Sequence, residues 1–121
     1  MRIDLRLPLL LLGVMVAAAG CGGALQETQG GTADFDRAMA AYERRDYLDA
    51  IADFKAYIEL FPGTEKTDDA LYYLGGAYSR QRDFALASGA FDRLIRDFPS
   101  SPFQPDALYE LARCDDLQSH P

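Results

Sequence analysis

An internal repeat constrains the fold of this chain more than any other feature. The segment TDDALYYLGGAY, which begins at Thr67, aligns with QPDALYELARCD, which begins at Gln104, at an offset of 37 residues. The same offset aligns the RDY sequence of residues 45–47 with the RDF sequence of residues 82–84. A fixed period of this length is typical of stacked units that each bury a hydrophobic face against a neighbour. We therefore expect a solenoid of repeated units.

Within each unit the apolar residues follow helical spacing. They are Ala50, Phe54, Tyr57, Ile58 and Phe61 in the first unit and Ala87, Phe91, Leu94, Ile95 and Phe98 in the second. Asp46 and Asp83 favour turns, while Pro62 and Pro99 are predicted to end the second helix of each unit. Pro105 suits the first turn of a further helix, because its missing N–H is not needed there. Each unit is predicted to be a helix, a short turn and a second helix.

The second unit resembles the tetratricopeptide repeat. It carries that family's pattern at Leu71, Leu74, Gly75, Tyr78, Ala87, Phe91 and Pro99. The first unit departs from the pattern in its opening helix, where Asp34, Arg37 and Ala41 stand at positions that are usually large and apolar. The resemblance implies an all-α tetratricopeptide-repeat α-solenoid, with two helix-turn-helix units and the first helix of a third. We also expect the small residues Gly75 and Ala87 to let their helices approach closely.

The N-terminal segment has the layout of an export signal. Arg2 and Arg6 precede an apolar run, residues 7–20, which closes on small side chains. This run is shorter than the roughly 20 residues that a transmembrane helix needs. Residues 1–20 are therefore predicted to be a signal peptide.

The sequence AAGC at residues 18–21 resembles the lipobox of bacterial lipoproteins. The resemblance implies cleavage before Cys21, a diacylglycerol on its sulfur, and an acyl chain such as palmitate on its freed amine. An ordinary secretory signal is the alternative, and a Cys21 free of lipid would be available to pair with Cys114. Residues 21–32 are rich in glycine and are predicted to be a flexible tether. The repeat domain is then residues 33–121, and we expect it to be incomplete at its C-terminus.

The lipobox, the tether and the 37-residue units joined by FPGTEKTDDALYYLG together resemble the BamD family, the outer-membrane lipoproteins of the β-barrel assembly machinery. The resemblance covers residues 33–117 and matches the N-terminal half of such proteins. It implies an outer-membrane anchor, a position facing the periplasm of a Gram-negative bacterium, and partners among barrel-assembly subunits or unfolded outer-membrane proteins. The TolA-binding coordinator of envelope division, which shares DALYYLG, and a generic tetratricopeptide lipoprotein are the alternatives.

A partner-binding groove is expected along the first helices of the units, because these helices line one side of a repeat solenoid. Projection of the pattern onto that side gives Phe35, Met39, Tyr42, Glu43, Tyr72, Gly76, Ser79, Arg80, Tyr109 and Arg113. Tyr72 and Tyr109 are equivalent in the repeat and are expected to stack along the groove. Tyr and Arg are frequent anchors in protein interfaces, although tyrosine at a helix boundary is also common as half-buried packing.

Charge and spacing argue against other classes of function. The net charge of −7 disfavours a nucleic-acid partner, which needs clustered Lys and Arg. No pattern predicts an enzyme, a cofactor or a metal site. His120 lies one residue from the end of the sequence, and the two aspartates after Cys114 disfavour a reactive thiolate. Pairs such as Asp92 with Arg96 are predicted to be surface contacts.

The third predicted helix, from Pro105 to about Leu117, has no second helix after it in the sequence. It is predicted to leave Leu108, Leu111 and Cys114 uncovered on one face, although solenoids need terminal caps. Three explanations compete, namely a truncated product, self-association or docking through the open end, and fraying of the helix.

Overall fold

The computed structural model describes residues 31–120, and within that range the chain is helical with no strand. Helix α1 covers residues 31–43 of the described range, and four further helices follow. They are α2 (Tyr47–Leu60), α3 (Thr67–Arg80), α4 (Phe84–Asp97) and α5 (Gln104–Ser119). The predicted all-α tetratricopeptide-type repeat fold is confirmed. Gly31 and Thr32, which the sequence assigned to the tether, are already helical, and the other predicted tether residues lie outside the described range.

The turn between the two helices of a unit has the same geometry in both units. In the first unit Arg45 adopts the left-handed conformation (φ 66°), and the Asp46 N–H donates to the Ala41 carbonyl at 2.9 Å. The second unit repeats this turn with Arg82 at φ 64°. The bond from the Asp46 N–H, together with that from the Arg45 N–H to the Tyr42 carbonyl at 3.0 Å, forms a Schellman motif. This motif satisfies the last carbonyls of the first helix and reverses the chain. Each unit is therefore a helical hairpin.

Small residues lie where the two helices of a unit cross. Ala38 and Ala50 in the first unit, and Ala87 in the second, have no exposed surface. At Gly75 a Cβ atom would lie 2.6 Å from the Phe91 ring, which is closer than real Cβ contacts allow. The prediction that Gly75 and Ala87 allow a close approach of α3 and α4 is confirmed.

The unusual opening helix of the first unit packs through polar and small residues. Arg37 forms ion pairs with Asp34 at 2.8 Å and with Asp53 of α2 at 3.3 Å. The Arg37 side chain is exposed, so solvent screens both pairs and they contribute little to stability. Ala41 is 2% exposed and packs in the core despite its small size. The departure from the apolar pattern is therefore compatible with a packed first unit.

A hydrogen-bonded cluster in the loop of residues 61–66 fixes the first unit to the second. The Thr67 hydroxyl, which is fully buried, donates to the Phe61 carbonyl at 2.6 Å and accepts from the Thr64 N–H at 2.9 Å. The Tyr57 hydroxyl adds a bond to the Thr64 hydroxyl at 3.0 Å. The first residue of α3, Thr67, is thus hydrogen-bonded to the residue that follows the C-terminus of α2.

The equivalent loop, residues 98–103, achieves the same result with a different side chain. The Gln104 amide donates to the carbonyls of Ile95 at 3.0 Å and Phe98 at 2.9 Å. Gln104 occupies the repeat position of Thr67. In both loops the first residue of a helix therefore satisfies carbonyls that the preceding helix leaves free.

Helix α5 packs mainly on α4, and its contacts correct one prediction. Cys114 is fully buried rather than uncovered, with its Sγ 3.4 Å from the Ser79 hydroxyl. Leu108 is 53% exposed and Leu111 is partly buried against the core, so the face that the sequence left open is open only in part.

Two glycine substitutions test the close approach of α3 and α4. Gly75→Ala is expected to lower the free energy of unfolding by about 1–3 kcal/mol, because the new methyl group overlaps the Phe91 ring. Gly89→Ala is the matched control, since its Cβ meets nothing within 4 Å, and it should raise stability by about 0.5–1 kcal/mol. Urea unfolding followed by circular dichroism measures both. Equal effects of the two substitutions would contradict the packing described.

Substitutions at Thr67 test the loop cluster. Thr67→Val keeps the shape but leaves the Phe61 carbonyl and the Thr64 N–H without this partner, so a loss of about 1–3 kcal/mol is expected. Thr67→Ser keeps the hydroxyl and removes one methyl group, which should cost only about 0.8 kcal/mol. The same unfolding measurement compares them, and a serine variant as unstable as the valine variant would show that the hydroxyl is unimportant.

Candidate protein-binding groove

A small cavity lies between the first helices of the repeat units, and we call it the A-helix pocket. Its volume is about 150 Å³. Its lining residues come from α1, α3, α4 and α5, and they are Tyr42, Tyr72, Gly76, Ser79, Arg80, Phe91, Glu110 and Arg113. Residues of α3 at this surface are spaced by about one helical turn, which places them on a single face. The repeat therefore builds one site from separate units.

Most of the predicted groove residues meet in this pocket. Tyr42, Tyr72, Ser79, Arg80 and Arg113 all line it. Gly76 forms part of its floor, where a Cβ would lie 2.8 Å from the Tyr42 hydroxyl. The absence of a side chain at this position is what lets the Tyr42 ring reach across α3.

Other predicted groove residues lie elsewhere. Phe35 is only 6% exposed and packs in the core of the first unit, with its ring centroid 5.5 Å from that of Tyr57, so it cannot contact a bound partner and its assignment to the groove was wrong. Met39 is partly buried against the core. Glu43 is exposed and Tyr109 is 66% exposed, and neither lines the pocket.

The expected stacking of Tyr72 on Tyr109 is also corrected. Tyr72 stacks instead on Phe103, with ring centroids 4.5 Å apart and planes 14° from parallel. At the equivalent position of the first unit, the Lys66 ammonium lies 4.6 Å above the Phe35 ring. A side chain from the following loop therefore covers each of these rings.

The charged groups of the pocket are two guanidiniums and one carboxylate. Arg113 pairs with Glu110 at 3.0 Å. Within residues 31–120 Arg80 forms no ion pair or side-chain hydrogen bond. The Ser79 hydroxyl is turned toward the Cys114 sulfur at 3.4 Å. The pocket thus holds one free cation beside one neutralised ion pair.

Both tyrosine hydroxyls of the pocket remain protonated donors at neutral pH. Burial raises the pKa of Tyr42, while the nearby Arg80 guanidinium lowers it in part. Burial also raises the pKa of Tyr72, and the carboxylates of Asp106 and Glu110 raise it further. These directions follow from the cost of creating a phenolate in a poorly solvated site.

Sequence reasoning missed three residues that shape the site. Phe91 was assigned to the core alone, Glu110 was not assigned to the groove, and Phe103 carried no prediction. Glu110 and Arg113 are three residues apart on one helix, a spacing at which side chains pair. This spacing could have identified Glu110 as a neighbour of the predicted groove residue Arg113. Nothing in the sequence identifies Phe103 as the stacking partner of Tyr72.

A larger apolar cavity, of about 320 Å³, lies between α2, α3 and α4 on another surface. Leu71, Leu74 and Leu86 are among its lining residues. Its charged lining residues are Lys55, Glu59 and Arg93, and most of the others are apolar. Within residues 31–120 no helix has the length and apolarity to cross a membrane. No cluster of metal-ligating side chains occurs in the described part of the chain.

The predicted lipidation site, Cys21, lies outside the described residues. The chain matches the family YfiO, described as outer membrane lipoprotein, over residues 26–118. A comparison with curated proteins finds no match. The family is a BamD-like helical scaffold type and is not a known enzyme family. Because the matched segment spans most of the sequence, this chain belongs to the YfiO family of outer membrane lipoproteins.

Proposed function

We propose that this protein is a lipid-anchored periplasmic scaffold that binds other envelope proteins through the A-helix pocket, in the assembly of outer-membrane β-barrels. The observation that carries the proposal is the convergence of Tyr42, Tyr72, Arg80 and Arg113, from three helices, on one cavity. Aromatic and arginine side chains are the most frequent anchors of protein interfaces. Membership of an outer membrane lipoprotein family supports a role in the envelope.

The chemistry of the pocket favours binding over catalysis. Its serine hydroxyl contacts the Cys114 sulfur, and no histidine is near enough to act as a base, since the single histidine of the sequence is His120 at the far end of α5. The pocket is also smaller than the roughly 300–1,000 Å³ of small-molecule sites. It can accept a side chain of a partner protein.

The lipid anchor in this proposal is Cys21, which precedes the segment that matches the family. A single acyl chain gives only marginal membrane binding, whereas several chains hold firmly, because each buried methylene contributes about 0.8 kcal/mol. The Gly-rich residues after Cys21 would separate the membrane surface from the repeats. The protein would then face the periplasm from the outer membrane of a Gram-negative bacterium.

Site-specific photo-crosslinking tests the pocket as the binding site. With p-benzoylphenylalanine in place of Tyr72, we expect crosslinks in intact cells to a barrel-assembly subunit or an unfolded outer-membrane protein. The same group in place of Leu86, which is 54% exposed on another surface, is the control and should give little of this product. Mass spectrometry identifies the partners. Crosslinks to Tol components would favour the coordinator of envelope division, and identical products from both positions would contradict the proposed site.

The two cysteines provide a matched test of the anchor. Cys21→Ser is expected to release the protein from the outer-membrane fraction, because no thioether to lipid can form. Cys114→Ala removes the other thiol, which is buried in the fold, and should leave the protein in the membrane fraction. Cell fractionation and intact-mass measurement distinguish them. A wild-type protein without added lipid mass would indicate an ordinary secretory signal instead.

A further inference from the structure

The A-helix pocket differs in charge from the rest of the molecule. The whole chain has a net charge of −7. The pocket, in contrast, has the guanidiniums of Arg80 and Arg113 and only the carboxylate of Glu110 among its lining residues. A cationic recess in an acidic protein attracts an anionic group. The proposed function does not specify the chemistry of the partner, and the charge of the pocket favours a partner with an anionic group.

Glu110 supplies the one carboxylate among the lining residues of this pocket. Its carboxylate lies 3.0 Å from the Arg113 guanidinium, and its side chain is only 22% exposed. Burial is the main cause of the raised pKa of Tyr42 and of Tyr72, and the charge of Glu110 adds to it at both, after that of Asp106 at Tyr72. In the free protein the pocket thus holds one carboxylate paired with Arg113, in a cavity that Tyr42 and Tyr72 also line.

The groups that remain unused can hold a second carboxylate. Arg80 forms no ion pair within residues 31–120. The Tyr42 hydroxyl lies directly above Gly76, and Tyr72 and Phe91 supply aromatic walls. Arginine binds carboxylates through two parallel hydrogen bonds, which are stronger than those between neutral groups. Arg80 is therefore available to a carboxylate that enters the pocket, and Arg113 becomes available once Glu110 leaves it.

We propose that the A-helix pocket binds a glutamate or aspartate side chain of an extended partner segment, and that Glu110 occupies part of this site until the partner displaces it from Arg113. The inference rests on the proposed function, because it names the chemistry of the partner at the same site. The volume of about 150 Å³ suits one side chain rather than a whole small molecule. The pocket is formed by neighbouring first helices, so an extended segment crosses it and presents an internal side chain rather than a chain end.

The experiment uses the purified full-length protein and three fluorescent peptides. The first is N-acetylated and C-amidated Ser-Gly-Tyr-Glu-Tyr-Gly-Ser. The second has Gln in place of Glu, and the third is the Gln peptide with a free C-terminal carboxylate. Fluorescence anisotropy at low ionic strength measures their dissociation constants. We expect the Glu peptide to bind about tenfold more tightly than either Gln peptide. This ratio is the contribution expected from one charge-assisted, bidentate contact between an arginine and a carboxylate.

Three substitutions separate this inference from general attraction. Arg80→Gln should remove the preference for the Glu peptide. Glu110→Gln, which keeps the shape of the side chain, should tighten binding of the Glu peptide about tenfold, because it removes the competing carboxylate. Arg93→Gln is the control, since Arg93 lines the other cavity and is 43% exposed in its side chain. It should leave the preference unchanged. Thermal unfolding confirms that each variant is folded.

Several outcomes would overturn the inference. They are absence of binding at millimolar peptide, equal binding of the Glu and amidated Gln peptides, preference for the free C-terminus, and weaker binding by the Glu110→Gln variant. If these occur while crosslinks from position 72 still reach envelope proteins, the proposed function stands and only the carboxylate inference fails. Loss of those crosslinks would instead remove the proposed function itself.

Discussion

The contact between the Phe91 ring and the backbone of Gly75 determines how closely α3 and α4 approach. A side chain at Gly75 would overlap the ring, and Phe91 is 1% exposed at the centre of the second unit. The same ring also lines the A-helix pocket. Because protein interiors are close-packed, a shift of this ring is transmitted to its neighbours. The stability of the second unit and the shape of the candidate site therefore depend on one aromatic side chain.

The fold could be predicted because its determinants are local and repeated. The 37-residue offset, the helical spacing of apolar residues, and the prolines after α2 and α4 together defined each hairpin, and α2 and α4 end at Leu60 and Asp97, just before the Phe-Pro pairs. The hydrogen bonds between units could not be predicted. Thr67 and Gln104 perform the same task with different chemistry, so comparison of the repeats obscured the role that they share.

The site could be predicted in part, because helical geometry decides which side chains share a face but not which neighbours cover them. Tyr42, Arg80 and Arg113 met as expected. Phe35, Tyr72 and Tyr109 occupy one repeat position and yet range from buried to exposed. Their neighbours differ, because Phe35 packs on Phe54 and Tyr57 beneath Lys66, whereas Tyr72 stacks on Phe103. Pattern projection contains no information about such contacts.

The hydrogen bonds of Thr67 and Gln104 also fix the angle at which each following helix leaves its loop. Gln104 fixes the start of α5 to the end of α4, while Glu110 and Arg113 lie further along the same rigid helix. With a rise of about 1.5 Å per residue, a tilt of about 5° at Gln104 moves Arg113 by roughly 1 Å. Displacements of that size are enough to break or form a bidentate ion pair. Sequence changes in an inter-unit loop can therefore alter the distance between the two guanidiniums without changing any residue that lines the A-helix pocket.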